Sequence, residues 1–170
     1  LEGKPRVGIV VGSPNDLPKV KEAADLLARL EIPYEVTVAS AHRTPEKAVA
    51  FVKDAEARGI EVIIAGAGLA AHLPGVVAAH TTLPVIGVPL AAGSLGGLDA
   101  LLSVVQMPPG VPVATVGIDG FRNAALLAAA ILALKDEGLA LRLKEYRQKM
   151  AENLEAEAER RLAEIRGEKP

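Results

Sequence analysis

The chain has 170 residues, half of them hydrophobic, and a net charge of −2 at neutral pH, which fits one domain with a sizeable core. With no Trp, two Phe, two Tyr and no basic excess, it lacks the stacking platforms and the positive field that nucleic-acid binding needs. The absence of Cys removes disulfides, thiolate metal sites and Cys nucleophiles; no apolar run reaches the roughly 20 residues of a membrane helix, and the chain reads as a cytoplasmic protein without a membrane partner.

Val7-Gly8-Ile9-Val10-Val11, bounded by Gly12, predicts a strand buried on both faces. Asn15 or Asp16 caps a following helix, on which Val20, Ala23, Ala24, Leu27 and Leu30 share one side. Pro33 breaks the chain before a second strand, Tyr34 to Ala39. Thr44-Pro45-Glu46 combines a capping hydroxyl, a Pro at the first helical position and an acid in the first turn, and Gly59 ends the helix it starts. Val62 to Ala65 is the third strand, followed by a Gly-rich turn and a helix to about Ala79. Pro84 to Val88 is the fourth strand, Leu95 to Val105 a helix, Val111 to Val116 the fifth strand, and two helices close the chain.

This alternation predicts right-handed βαβ units and a parallel sheet covered on both faces. The expected fold is a flavodoxin-like three-layer αβα sandwich with a five-stranded parallel sheet and a long C-terminal helix. Residues 1–137 form a single α/β nucleotide-binding catalytic domain and residues 138–170 a helical extension. From Leu139 to Ile165 no helix breaker occurs, a length of about 40 Å at 1.5 Å per residue. Leu139, Leu143, Tyr146, Met150, Leu154, Ala158, Leu162 and Ile165 recur at three- and four-residue steps. Such a stripe suits packing on neighbouring subunits of a homo-oligomer; the alternative is a solvated, frayed helix.

In open α/β sheets ligands bind beyond the carboxyl ends of the strands, and there the unusual residues collect. They are Ser13, Asn15 and Asp16 after the first strand, Ser40, His42 and Arg43 after the second, Gly66 to His72 after the third, and Ala91 to Gly97 after the fourth. Helix starts beside Ser13 and Thr44, with the charge of Arg43, suit a phosphate. Ser13 and Asn15 taken singly are simple capping residues, and Arg43 alone a surface ion pair. Their convergence with Gly-rich turns favours a ligand.

Gly66-Ala67-Gly68-Leu69-Ala70-Ala71 matches a G-x-G-x-x-A dinucleotide fingerprint. No acid for a ribose follows at the required distance, since Pro84 to Gly93 contains no Asp or Glu, so these glycines read as a close approach to a small anionic ligand. No Walker A sequence is present. Of the three histidines, His42 lies between small and charged residues at a strand end, where an imidazole stays partly solvated and suits acid/base work. His72 either orients its loop or touches the ligand, and His80 is a surface or capping residue. No acid cluster accompanies any pair of them, so no metal site is expected.

Ser40-Ala41-His42-Arg43-Thr44-Pro45, the stretch Gly66 to Gly75 and Ser103-Val104-Val105-Gln106-Met107-Pro108-Pro109-Gly110-Val111-Pro112-Val113 resemble the signature segments of the class I N5-carboxyaminoimidazole ribonucleotide mutases of purine biosynthesis. The similarity runs from about Arg6 to Tyr146. It implies a ribonucleotide substrate, no metal or organic cofactor, and an octamer. By resemblance Ser13 and Arg43 hold the phosphate, Asp16 the ribose hydroxyls, and Ser40, Ala41, Gly68, Ala70 and Leu73 the base and its carboxylate, with His42 as the general acid/base. This chain departs from the family pattern at Asn15, Ala92 and Gly96, where serines are common, and at Asp119-Gly120-Phe121-Arg122, which replaces a smaller Ala/Gly-rich stretch. Direct carboxylation of the aminoimidazole ribonucleotide and non-catalytic nucleotide binding are the competing readings.

Overall fold

Val7–Val11 (β1) is wholly buried, as expected of a central strand whose side chains meet helices on both faces. The computed structural model describes residues 3–167, and in it the chain divides into two compact units, one ending at Leu132 and the other beginning at Ala133. The first continues through a one-turn 3-10 segment, Pro14–Asp16, into α1 (Leu17–Arg29), β2 (Tyr34–Val38), α2 (Pro45–Lys53), α3 (Ala55–Arg58), β3 (Val62–Gly68), α4 (Leu73–Ala78), β4 (Val85–Leu90), α5 (Leu98–Val105), β5 (Ala114–Thr115) and α6 (Phe121–Leu132).

The strand order is β2-β1-β3-β4-β5 and every pairing is parallel. α1 and α6 pack together on one face, while α2, α4 and α5 cover the other, giving the flavodoxin-like sandwich. Val20, Ala23 and Leu27 of α1 are buried at three- and four-residue steps. Ala48 and Val52 of α2, Val77 of α4 and Val104 of α5 close over Ile63, Ala65 and Val85. The direction of travel across the sheet reverses between β1 and β3, which opens a crevice beyond their carboxyl ends.

β4 runs two residues further than expected, to Leu90, and four other differences from the sequence reading each have a local cause. β3 runs three residues further, so that Gly66, Ala67 and Gly68 pair with Val88, Pro89 and Leu90 as strand instead of forming a turn. A Cβ on Gly66 would lie 2.7 Å from the Phe121 ring and 3.3 Å from Val11, so this glycine makes room for an aromatic of α6 and not for a ligand. β5 shrinks to two residues, because Pro112 cannot donate to the ladder. The helix after Thr44 splits at Asp54, and α5 begins three residues late because Gly96 and Gly97 both have positive φ.

The second unit is a 3-10 turn, Ala133–Lys135, and α7, Glu137–Ile165. Asp136 caps α7, accepting the Leu139 N–H at 2.9 Å. Leu139 is buried, Leu143 and Tyr146 are half-buried, and Met150, Leu154, Leu162 and Ile165 are exposed. Glu157 pairs with Arg160 and Arg161 one turn on. Among the described residues no helix is long and apolar enough to cross a membrane.

Candidate active site

The crevice at the β1/β3 reversal is a cavity of about 650 Å³. The first loop supplies Gly12, Ser13, Asn15 and Asp16; the second, Ser40, Ala41, His42 and Arg43. The third supplies Ala67 to Ala70, His72 and Leu73, and the fourth Ala92. Of the residues that the sequence reading placed at the strand ends, Ser13, Asn15, Asp16, Ser40, Ala41, His42, Arg43, Gly68, Ala70, His72 and Leu73 line this cavity, whereas Gly66, Ala71, Ala91 and residues 93–97 do not.

Local hydrogen bonds set the two polar loops. The Ser13 hydroxyl accepts the Asn15 N–H at 3.3 Å and so caps the 3-10 turn that leads into α1. Asp16 occupies the N-cap position of α1, but its side chain caps nothing there, contrary to the sequence expectation, and faces the cavity. In the second loop the Ser40 hydroxyl accepts the N–H groups of His42 at 3.3 Å and Arg43 at 3.2 Å. Thr44 does not cap α2 with its hydroxyl as the sequence suggests; it accepts the Ser40 N–H at 2.8 Å and closes the loop on itself. These bonds fix the backbone that carries the imidazole and the guanidinium side by side.

Two long-range contacts then join the loops. Arg43 Nη2 donates to the Gly12 carbonyl at 3.2 Å, placing the guanidinium against the first loop. His42 Nε2 lies 2.7 Å from His72 Nδ1, with the rings edge to face at 80°. An N–H···N bond needs one donor and one acceptor nitrogen, so one ring donates to the other, and the tautomers set which. His80, in contrast, has Nδ1 2.8 Å from the Val76 carbonyl at the end of α4, away from the cavity.

Burial pushes the Asp16 carboxyl above the usual carboxylate range, and the positive charges of Lys19 and Arg43 and the Ser13 backbone pull it back. The rest of the wall is small and apolar. Gly68 packs closely there: a Cβ would stand 3.1 Å from that of Ala92 and would press the fourth loop back by a few tenths of an ångström. Leu69 has φ of 55° and is about half exposed at the cavity, and Gly93 accommodates its side chain, as a Cβ on Gly93 would be 2.7 Å from Leu69 Cδ2. The side chain of Leu69 at the cavity, the His42–His72 contact and the closed loop at Ser40 are not legible in local pattern, because all three depend on backbone placement. Among the described residues no three His, Asp or Glu side chains gather where they could hold a metal ion.

An anion subsite, a carboxylate, a hydrogen-bonded imidazole pair and a small apolar wall suit a phosphorylated sugar bearing a planar base. Residues 6–153 match a family model described as AIR carboxylase. The N5-carboxyaminoimidazole ribonucleotide mutase of Pyrococcus abyssi is 62% identical over 148 residues, covering 87% of this chain and 85% of its own. The enzyme of the same name from Thermotoga maritima is 56% identical over 156 residues, covering 92% of this chain and 91% of its own. The crystal structure of Treponema denticola PurE superposes with a TM-score of 0.83 at 32% identity, over 92% of this chain and 98% of that one.

Proposed function

The chain belongs to the AIR carboxylase family, and from that membership we propose that it is a mutase of purine biosynthesis, moving a carboxylate from the exocyclic nitrogen to ring carbon C4 of N5-carboxyaminoimidazole ribonucleotide. The observation that carries the reading is the placing of His42 and His72 beside the Arg43 anion subsite in one cavity, in a chain 62% identical to a mutase.

Arg43, Ser13 and Asn15 hold the phosphate, with Arg43 supplying the charge. Asp16, as a carboxylate, accepts hydrogen bonds from the ribose hydroxyls. The Ser40 oxygen already accepts two N–H groups, which leaves its own proton to donate to the substrate carboxylate. Ala41, Gly68, Ala70 and Leu73 pack on the base.

A carbamate on nitrogen is labile, and an apolar wall that withholds water favours its breakdown to carbon dioxide and the amine. The nitrogen takes one proton as it becomes an amine. The enamine-like C4 then attacks the trapped carbon dioxide and loses its own proton, so the ring regains aromaticity and no net proton is consumed. His42 serves both halves through one nitrogen. Nε2 gives its proton to the exocyclic nitrogen, which leaves it bare, and then takes the C4 proton; for each transfer it turns from His72 Nδ1 to the substrate, and His72 holds it in place between them. His42 is the catalytic residue and His72 a positioning residue.

We further propose a cytoplasmic homo-oligomer, an octamer. Support comes from Leu98, Leu102 and Val105, an exposed apolar row on α5, and from the exposed apolar residues of α7. One assay separates the competing activities: incubation with each carboxylated isomer, and separately with the uncarboxylated nucleotide plus bicarbonate. Interconversion of the two isomers is the expected result, and bicarbonate-dependent carboxylation without it would overturn the reading.

A further inference from the structure

β4 ends at Leu90, and Ala91, the next residue, would leave both backbone polar groups without a strand partner. Two side chains from distant parts of the chain supply them. Asp119 Oδ1 accepts the Ala91 N–H at 3.0 Å, and Lys19 Nζ donates to the Ala91 carbonyl at 3.0 Å. The same two groups pair with each other at 2.6 Å. Asp119 holds φ of 57° and donates its own N–H to the Pro89 carbonyl at 2.8 Å, so it extends the β4 pairing beyond the end of β5. An aspartate tolerates that left-handed conformation better than most residues, and here its side chain is bound by two donors.

This triangle stands behind the cavity wall. Ala92, the next residue, lines the cavity against Gly68, and Gly97 folds back onto Ala91, where an added Cβ would lie 3.0 Å from the Ala91 Cα. The start of the fourth loop thus has its position set by an ion pair between α1 and the residue pair that precedes α6. The charge of Lys19 also acts on Asp16, favouring its carboxylate. The other charged groups acting on Asp16 are Arg43, which is positive, and Asp119, which is negative.

We propose that Lys19 is a positioning residue for the ribonucleotide site: clamped between Ala91 and Asp119, it fixes the wall that carries Ala92 and keeps a cation beside the carboxylate of Asp16. The proposal rests on the reading of Asp16 as the ribose ligand. Lys19→Met keeps the aliphatic stem and removes the ammonium; Asp119→Asn keeps an oxygen for Ala91 and removes only the negative charge.

The test is isomerase kinetics from about pH 5 to about pH 8 on both variants, with amide hydrogen exchange of the 91–97 loop. Lys19→Met is expected to raise KM about fivefold or more with kcat within about twofold, and to speed exchange of the loop about tenfold. Its acidic limb of kcat/KM moves to higher pH, because Asp16 loses a cation, whereas that of Asp119→Asn moves to lower pH, because Asp16 loses an anion. A purely structural role moves both limbs the same way or neither. That result, or an unchanged KM or loop exchange in Lys19→Met, overturns the proposal. Absence of isomerisation in the unaltered chain would strike the proposed function instead, and the exchange rates would then decide the clamp.

Discussion

His42 and His72 are 30 residues apart in sequence and 2.7 Å apart across the cavity, nitrogen to nitrogen, because β2 and β3 flank β1 and deliver their loops to the same edge. Their roles are separable. His42→Asn removes the group that moves the proton and is expected to lower kcat about 10²- to 10⁴-fold. His72→Asn can still hydrogen bond to His42 but holds it less firmly and does not titrate beside it, so kcat falls roughly tenfold and the pH profile of kcat changes shape. Steady-state kinetics on the C4-carboxylate product checks both.

Arg43 is exposed and holds the Gly12 carbonyl, so its guanidinium has further donors for an anion. Arg43→Met should raise KM about tenfold to a hundredfold with little change in kcat, the loss of a charge-assisted bond made equally in ground and transition states. Inorganic phosphate should compete with substrate in the unaltered protein and much less in the variant.

Asp16 predicts a conflict between stability and binding. Its carboxyl is raised from the ordinary 3.8, first by burial, so the stability associated with its protonated form is fully present below that value and is lost as pH rises through the folded value. At neutral pH the folded chain therefore carries the cost of a partly buried carboxylate. Asp16→Asn should raise the melting temperature by about 1–2 °C at pH 7 and leave it unchanged near pH 3, while weakening nucleotide binding. Paired melting and binding curves check the two signs together.

Much of this could be read in the chain. β1, the helix starts after Asp16 and Thr44 and the clustering of polar residues at strand ends follow from local pattern, because apolar runs and prolines act over a few residues, although neither Asp16 nor Thr44 caps its helix as expected. The roles of individual groups did not follow so well. Gly66 looks like part of a phosphate-binding turn, yet it faces Phe121, a residue 55 positions away that no local pattern connects to it. Nothing in the local pattern connects Lys19 with Asp119, which the fold brings together at the end of β4. The extent of β5 depended on where Pro112 fell against β4.

The exposed apolar residues of α7 make a separate prediction. If the proposed octamer is held by this stripe, removing the chain after Tyr146 takes away Met150, Leu154, Leu162 and Ile165 and should leave smaller species on sedimentation than the full chain gives. An unchanged sedimentation coefficient per unit mass would assign those residues to a solvated helix instead.

The most direct test is a crystal structure with the C4-carboxylated ribonucleotide bound. The phosphate should contact Arg43 and Ser13, the ribose Asp16, and an imidazole nitrogen of His42 should lie within hydrogen-bonding reach of the C4 substituents, about 3 Å. A nucleotide bound outside this cavity, or one bound within it with His42 turned away from C4, would contradict the account.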